Sequence, residues 1–143
     1  MKALTLTQPW ASLVVVGAKR IETRSWKTNY RGRLAIHAAA NFPKEARNLC
    51  EKWPFKEYIW DPEFLPTGAV LGTVKLIEVM TVERFLDAIE GIGNKEEERE
   101  EFALGNFSPG RFAWVFEDPF CFKKPIEAKG ALGLWEFFIE GEL

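Results

Sequence analysis

A long apolar segment at residues 68–82, GAVLGTVKLIEVMTV, limits the possible folds more than any other part of the chain. It is the longest strand signal in a sequence of 143 residues. Gly72 lies near its start, and a glycine inside a strand allows the tight bend found at the corners of β-barrels. The segment therefore predicts one long strand that bends through a small barrel.

Shorter strands are predicted at residues 3–6, 19–26, 33–39, 111–118 and 133–140. Short helices are predicted at residues 9–16, 43–52, 83–91 and 95–102, the first with Thr7 as its N-cap and Gly17 at its left-handed end. The acidic run at residues 96–98 is typical of a solvated helix face. These elements predict a mixed α/β, mainly β fold: a partly closed β-barrel of five to six strands with short flanking helices, in one domain spanning residues 1–143.

Composition excludes several classes of protein. Hydrophobic residues make up 47% of the chain and charged residues 28%, which rules out intrinsic disorder. No apolar run approaches the ~18 residues of a membrane span, and an early one at residues 13–16 stops at Gly17, so no membrane partner is expected. The alternation of polar and apolar residues at the N-terminus indicates mature protein rather than a signal peptide.

Metal and cofactor sites are not expected either. Cys50 and Cys121 lie 71 residues apart, and the chain has one histidine, which leaves too few ligands for the usual zinc site. The sequence carries no P-loop or Rossmann fingerprint and no paired metal-binding carboxylates. Two cysteines do not make a disulfide framework, so the expected compartment is a reducing cytoplasm.

The charge is divided unevenly along the chain. Residues 1–47 carry nine Lys or Arg against two acids, a net +7, whereas residues 48–143 carry ten basic and nineteen acidic residues, a net −9. Such asymmetry within a chain of net charge −2 indicates a surface that faces a polyanion. The alternative is that the two parts interleave in the fold and neutralise each other.

The densest group of chemically useful residues is Gly17-x-Lys19-x-x-Glu22-x-Arg24. On a regular strand Glu22 and Arg24 point to the same face, and Lys19 can reach them through the preceding turn. A lysine, a carboxylate and an arginine in one short arc can bind a polar ligand or its phosphate. The alternative is an exposed ion network that contributes little to stability.

Aromatic rings and further cations lie close to this motif in the sequence. Trp10 precedes it, and Trp26, Tyr30, Arg31 and Arg33 follow it. Cations neutralise phosphates while flat rings stack bases at about 1–3 kcal/mol each, so the pattern favours single-stranded nucleic acid. The alternative is that the tryptophans pack in the core or at its rim.

Two further residues and one segment carry weaker signals. His37 lies within an apolar strand, where a hydrogen-bonded core histidine is expected. Glu78 lies in the long strand, where it is either a partner of Lys19 or an outward-facing strand residue. Residues 53–67 hold three prolines and five large aromatic rings, a composition typical of binding loops.

The opening string LTLTQPWASLVVVGAKRIETRSWKTNYRGRLAIHAA resembles that of an ASCH domain, named for activating signal cointegrator 1 homology. The family's hallmarks, Gln-Pro-Trp and then G-x-K-x-x-E-x-R, stand here at residues 8–10 and 17–24. The later strings GNFSPGRFAWVF and AKGALGLWEF also resemble the family's C-terminal blocks. The resemblance therefore spans nearly the whole chain.

This resemblance implies a PUA-like β-barrel, similar to folds that bind RNA or modified bases. In the family a cleft beside the barrel is lined by the G-x-K-x-x-E-x-R segment, which corresponds here to Lys19, Glu22 and Arg24. By the same resemblance, Arg111 and Trp114 complete the cleft. Trp10 or Trp26 could stack a base.

The resemblance leaves the activity open. Some small bacterial ASCH proteins are amidohydrolases that act on N4-acetylcytidine with a lysine, a threonine and a glutamate. Lys19 matches the lysine, but the threonine position three residues on is Glu22 here. Thr23 is adjacent, yet on a regular strand it faces the other way. Other members have been described as ribonucleases, which a Lys/Glu acid–base pair would serve.

Three hypotheses follow for the function. The first is a module that binds RNA or a modified nucleotide, with one base stacked on a tryptophan and read by Glu22 while Lys19, Arg24 and Arg31 hold phosphate. The second is a small hydrolase that uses Lys19 with Glu22 or Glu78 as acid and base. The third is a protein-interaction adaptor that works through residues 53–67.

Overall fold

The computed structural model describes residues 1–90 and 95–139, and strands dominate this part of the chain. The strands are β1 (Lys2–Leu6), β2 (Ile21–Arg24), β3 (Gly32–Ala38), β4 (Ala69–Thr81), β5 (Phe112–Glu127) and β6 (Leu134–Glu136). The helices are α1 (Trp10–Val15), α2 (Lys44–Leu49), α3 (Val82–Ile89) and α4 (Lys95–Ala103), with 3-10 turns at Phe55–Glu57 and Pro62–Phe64. The predicted mixed α/β, mainly β fold is confirmed.

The six strands form one sheet in the order β2-β5-β4-β3-β1-β6. β1 and β3 run parallel, and every other neighbouring pair is antiparallel. The sheet curls into a half-barrel, and over the described residues its edge strands β2 and β6 do not pair with each other. The predicted partly closed barrel is therefore confirmed, and β2 stands at its open edge.

The long central strand β4 confirms the prediction made from residues 68–82. Its register with β5 shifts between Val70 and Gly72, where a β-carbon on Gly72 would lie 2.1 Å from the carbonyl oxygen of Phe120. Only a residue without a side chain permits so close an approach of the two backbones. Gly72 is therefore required by the contact between the two longest strands.

β5 continues well beyond the predicted strand at residues 111–118. Asp118 and Pro119 lie in a second register shift, between the pairs Glu117–Lys75 and Phe120–Thr73. A bulge accepts a proline because the ladder loses no hydrogen bond there, so the strand runs through a residue that normally ends one.

α1 packs against the sheet to form the main hydrophobic core, whose fully buried members include Leu4, Leu34, Ile36, Leu76 and Trp114. Burying a leucine or isoleucine side chain contributes roughly 1.5–3 kcal/mol. This packing holds in place a helix whose valines have low helix propensity. A second cluster joins α1 and α2 to the aromatic segment 53–67 through Leu13, Ala46 and Phe55, and Leu104, just after α4, also belongs to it.

The start of α1 differs from the prediction. The helix begins after Pro9 with no side-chain cap, so the expectation that Thr7 caps it is wrong. The backbone N–H of Ser12 donates instead to Oε1 of Gln8 at 3.0 Å, because the buried glutamine folds over the first turn.

The end of α1 places the first residue of the charged motif. Gly17 has a φ of 83°, the left-handed conformation predicted for it. The backbone N–H of Lys19 then donates to the carbonyl of Leu13 at 3.0 Å. Lys19 is thereby fixed between the helix end and β2.

The predictions near residue 90 and at the C-terminus are only partly covered by the described residues. β6 comprises Leu134–Glu136, which is shorter than the predicted strand at 133–140, and residue 140 lies outside the described residues. α3 ends at Ile89, and residue 91 of the predicted helix also lies outside them. Among the described residues, no helix is long and apolar enough to cross a membrane, and no group of three or more potential ligands could hold a metal ion.

Candidate functional site

A cleft with a volume of about 350 Å³ opens beside the edge strand β2. One wall is β2 itself, and the opposite wall is the segment that follows α4. The polar lining is supplied by Thr7, Glu22, Thr23, Arg24, Asn106 and Arg111, and the apolar lining includes Trp10, Leu49 and Phe55. The cleft therefore brings together four residues from the predicted site: Trp10, Glu22, Arg24 and Arg111.

The alternation of β2 decides which side chains reach solvent. Ile21 and Thr23 are buried, whereas Glu22 and Arg24 are half-buried, as the period of two in the sequence predicts. Nη1 of Arg24 lies 3.8 Å from Oε2 of Glu22. The rim of the cleft thus carries a carboxylate and a guanidinium side by side.

Lys19 is enclosed behind this rim. Its side chain has 0% exposure, and its ammonium group donates a short hydrogen bond to the carbonyl of Ile21. Nζ lies 3.9 Å from Oε1 of Glu22 and 4.0 Å from Oε2 of Glu101. The expected approach of Lys19 to Glu22 is found, but the enclosed ammonium does not line the cleft where a phosphate would bind.

The loop after α4 closes tightly over Lys19. A β-carbon on Gly105 would lie 2.9 Å from Nζ of Lys19, and Gly105 also lines the cleft. The backbone of Gly105 therefore lies between the Lys19 ammonium and the cleft.

Glu101 of α4 is a partner of Lys19 that the sequence did not reveal, although it does not line the cleft. Its Oε1 accepts a hydrogen bond from the backbone N–H of Arg20 at 2.7 Å, while its buried Oε2 has no hydrogen-bond partner among the described residues. Burial raises the pKa of the Glu101 carboxyl, and the nearby Lys19 ammonium opposes that rise. Glu101 lies 81 residues after Arg20 in the sequence and within an acidic helix, so only the tertiary fold shows that it meets Lys19.

Thr23 also borders the cleft, which strand alternation did not predict. Its buried hydroxyl donates a short hydrogen bond to the carbonyl of Asn106 and accepts one from Nε of Arg111 at 3.0 Å. Nη2 of Arg111 donates to the carbonyl of Thr23 at 2.8 Å. These bonds join β2 to the opposite wall and hold the Arg111 guanidinium at the cleft, as predicted for that residue.

The three predicted tryptophans have different positions. Trp10 lines the cleft, with Nε1 donating to the carbonyl of Leu104 at 2.8 Å. Trp26 lies outside the cleft lining, edge-on to Trp114 at a centroid distance of 4.9 Å, with the Arg24 guanidinium 5.8 Å from its ring centre. Trp114 has 0% exposure and belongs to the core, so the expectation that it completes the cleft is wrong.

Arg31 and Glu78 lie away from the cleft and contact each other. Nη2 of Arg31 lies 3.1 Å from Oε1 of Glu78, and both side chains are exposed. A hydrogen bond from the backbone N–H of Val79, followed by the Arg31 guanidinium, lowers the pKa of the Glu78 carboxyl. Glu78 is therefore an outward-facing strand residue, and the alternative that it pairs with Lys19 is wrong.

His37 is the hydrogen-bonded core histidine that the sequence predicted. It is 2% exposed, with Nδ1 3.1 Å from Oγ1 of Thr5 and Nε2 2.7 Å from the carbonyl of Ala128. Because that carbonyl can only accept, Nε2 carries a proton. Nε1 of Trp135 donates to the same Thr5 hydroxyl at 3.0 Å, so the group is structural.

The aromatic segment 53–67 divides into buried and exposed rings. Phe55 is buried beside Trp10, which it meets edge-on at 6.1 Å. Trp60 and Phe64 stack on each other at 5.8 Å and are 90% and 74% exposed. The protein-interaction role of this segment stays a prediction.

Comparison with known proteins identifies the family. The family model described as "ASCH domain" matches residues 4–125. Activating signal cointegrator 1 of Homo sapiens is 37% identical over 98 residues, which are 66% of this chain and 17% of that protein. The Mus musculus protein of the same name is 35% identical over 107 residues, which are 72% of this chain and 18% of that protein.

The chain thus spans less than a fifth of the length of these curated relatives. Among solved structures, ASCH from Zymomonas mobilis is 14% identical with a TM-score of 0.49, and the match covers 88% of this chain and 72% of that one. The family-model match covers most of the chain, and on that ground the chain belongs to the ASCH domain family.

Proposed function

We propose that the chain binds RNA or a modified nucleotide, and that the cleft beside β2 holds one base. The observation that carries this proposal is the pairing of the Glu22 carboxylate with the Arg24 guanidinium at 3.8 Å on the rim of a cleft of about 350 Å³. A charged acceptor and a charged donor side by side suit the hydrogen-bonding edge of a base.

The chemistry of the rim favours a base that carries an amino group. An ionised carboxylate only accepts hydrogen bonds, so Glu22 would accept from an exocyclic amine, as acidic residues do from cytosine. Arg24 only donates, and would bind a ring nitrogen or carbonyl on the same edge. Asn106 and Arg111 add polar groups on the opposite wall.

Trp10 supplies a ring for stacking. The hydrogen bond from its Nε1 to the Leu104 carbonyl and its edge-on contact with Phe55 fix the orientation of the indole. A ring fixed in this way loses little conformational freedom when a base stacks on it, and such stacking contributes about 1–3 kcal/mol per base.

The test is a titration of the full chain with single-stranded RNA at about 50 and 200 mM salt. Glu22→Gln should weaken binding of RNA with amino-bearing bases by about 1–3 kcal/mol, because one acceptor oxygen becomes a donor. Glu127→Gln, at an exposed position of β5, is the matched control and should bind as the wild type does. A flat response of the wild type at both salt concentrations would remove the proposal.

A hydrolase is the second candidate, favoured by the enclosed Lys19 between two carboxylates. An activated nucleophile needs a hydrogen bond to its base, and the Thr23 hydroxyl instead donates to Asn106 and accepts from Arg111. This arrangement favours a Lys19–Glu22 pair over a threonine nucleophile. Incubation with N4-acetylcytidine and with RNA, followed by mass detection, tests both activities, and the absence of any product would exclude the hydrolase.

We also propose a cytoplasmic location. Both cysteines are free thiols, and Cys121 is exposed. An exposed thiol persists most readily in a reducing compartment. Fractionation of cells that produce the chain would test the location.

A further inference from the structure

A second polar pocket, also of about 350 Å³, lies next to the cleft. Its charged lining consists of Lys27, Arg31, Arg84 and Glu78, which gives three cations against one anion and a net charge of +2. The polar side chains of Thr28 and Asn29 complete the side formed by the turn before β3. This composition suits an anion.

The Arg31–Glu78 pair leaves the pocket able to accept an anion. Both side chains are exposed, and an exposed ion pair contributes little to stability. Arg31 also donates from Nη1 to the carbonyls of Thr28 and Tyr30, each at 2.9 Å, which fixes its guanidinium against the turn. A phosphate can therefore share Arg31 with Glu78 without reordering the side chain.

Strand pairing places this pocket close to the cleft. Arg24 of the cleft pairs with Phe112, which pairs in turn with Thr81, and both Phe112 and Thr81 line the second pocket. Paired residues of neighbouring strands present their side chains on the same face. Two strand spacings amount to roughly 10 Å, a separation that adjacent nucleotides of one strand can bridge.

Hydrogen bonds also tie the two pockets together. The backbone N–H of Val82, at the start of α3, donates to the carbonyl of Arg111 at 3.0 Å. The carboxylate of Glu83 accepts from the backbone N–H of Gly110 at 2.9 Å. The helix that carries Arg84 is thus fixed to the loop that carries Arg111 of the cleft.

We propose that this basic pocket binds a backbone phosphate next to the nucleotide held in the cleft, so that the ligand is an RNA strand rather than a free nucleoside. The inference rests on the proposed function of the cleft. It also accounts for Arg31, which the sequence placed among the binding residues and the structure places outside the cleft.

The test compares ligands of increasing length, from cytidine and adenosine to single-stranded RNA of about six nucleotides. The variant is Lys27→Ala/Arg84→Ala, and the matched control is Lys123→Ala/Lys124→Ala, which removes two exposed cations from β5. The first variant should leave nucleoside affinity unchanged, weaken RNA binding and reduce the slope of log K against log salt by about 0.7, the value for one phosphate of a single strand. The control should keep the wild-type slope.

Two outcomes would overturn the inference in different ways. If the wild type binds nucleosides and RNA equally well, or if the Lys27→Ala/Arg84→Ala variant binds RNA with the wild-type slope, the basic pocket holds no phosphate and the cleft proposal stands. If the wild type binds neither nucleoside nor RNA, the proposed function fails and the inference fails with it.

Discussion

Replacing Lys19 by methionine should destabilise the fold strongly. The lysine side chain is fully enclosed, and the Glu22 and Glu101 carboxylates that it faces are only 13% and 11% exposed. Methionine keeps most of the aliphatic volume, so the loss of packing is small. The substitution therefore mainly removes a buried positive charge from between two carboxylates.

The expected cost follows from this burial. Removing one partner of a buried ion pair typically costs about 3–5 kcal/mol, because the remaining charge is left without compensation. The carbonyl of Ile21 also loses the hydrogen bond that the ammonium donates. We therefore expect Lys19→Met to lower the free energy of unfolding by about 4 kcal/mol at neutral pH, a large part of the roughly 5–15 kcal/mol typical of a domain.

Urea unfolding of three variants measures this effect: Lys19→Met, Glu101→Gln and the two combined. Lys19→Met/Glu101→Gln should be more stable than Lys19→Met alone, because one of the two carboxylates that faced the lysine is gone, and the coupling energy should be about 0.5–3 kcal/mol. The cost of Lys19→Met should also shrink as the pH falls, because burial raises the pKa of the Glu101 carboxyl and its protonation removes one of the charges that faced the lysine. A cost below about 1 kcal/mol at neutral pH, the range of an exposed pair, would refute the reasoning.

Three further predictions concern single residues. Trp114→Ala should destabilise the fold by about 3–5 kcal/mol in urea unfolding, because it empties a fully buried site in the core. Gly72→Ala should cost about 3 kcal/mol in the same assay, since its β-carbon would meet a backbone oxygen of β5 that cannot rotate away. The raised pKa of Glu101 means that the native state holds this proton more tightly than the unfolded chain does, so stability should fall as pH rises from 4.5 through the raised pKa. Thermal unfolding of Glu101→Gln against pH should lack that fall.

Local sequence patterns were sufficient to predict most of the fold. The long apolar strand β4, the left-handed Gly17 and the alternation of β2 each depend on neighbouring residues only. The prediction of β5 stopped early because Pro119 normally ends a strand, and the bulge that accommodates it depends on the register with β4. This error thus arose where pairing between strands decided the structure.

The sequence predicted only those contacts of the candidate site that join residues close together in the chain. Lys19, Glu22 and Arg24 come together as their spacing indicates. Glu101 was missed because its helix has the composition of a solvated face. Trp114 was misassigned because the family resemblance that placed it at the cleft does not show which face of its strand is buried. The burial of Glu101 and of Trp114 depends on residues that are distant from them in the sequence.

The net charge of +7 on residues 1–47 does not show which of their basic side chains can contact a polyanion, and their positions in the fold do. Lys19 contributes to that charge but is enclosed between Glu22 and Glu101, so it cannot neutralise phosphate at the surface. The cations that we assign to an RNA strand are those at the rim of the cleft and in the basic pocket. The salt dependence of binding reports only the cations that displace counterions from phosphates, so these groups should set the slope of log K against log salt for RNA. The contacts of Lys19 with Glu22 and Glu101 should instead fix the position of Glu22 for reading the base.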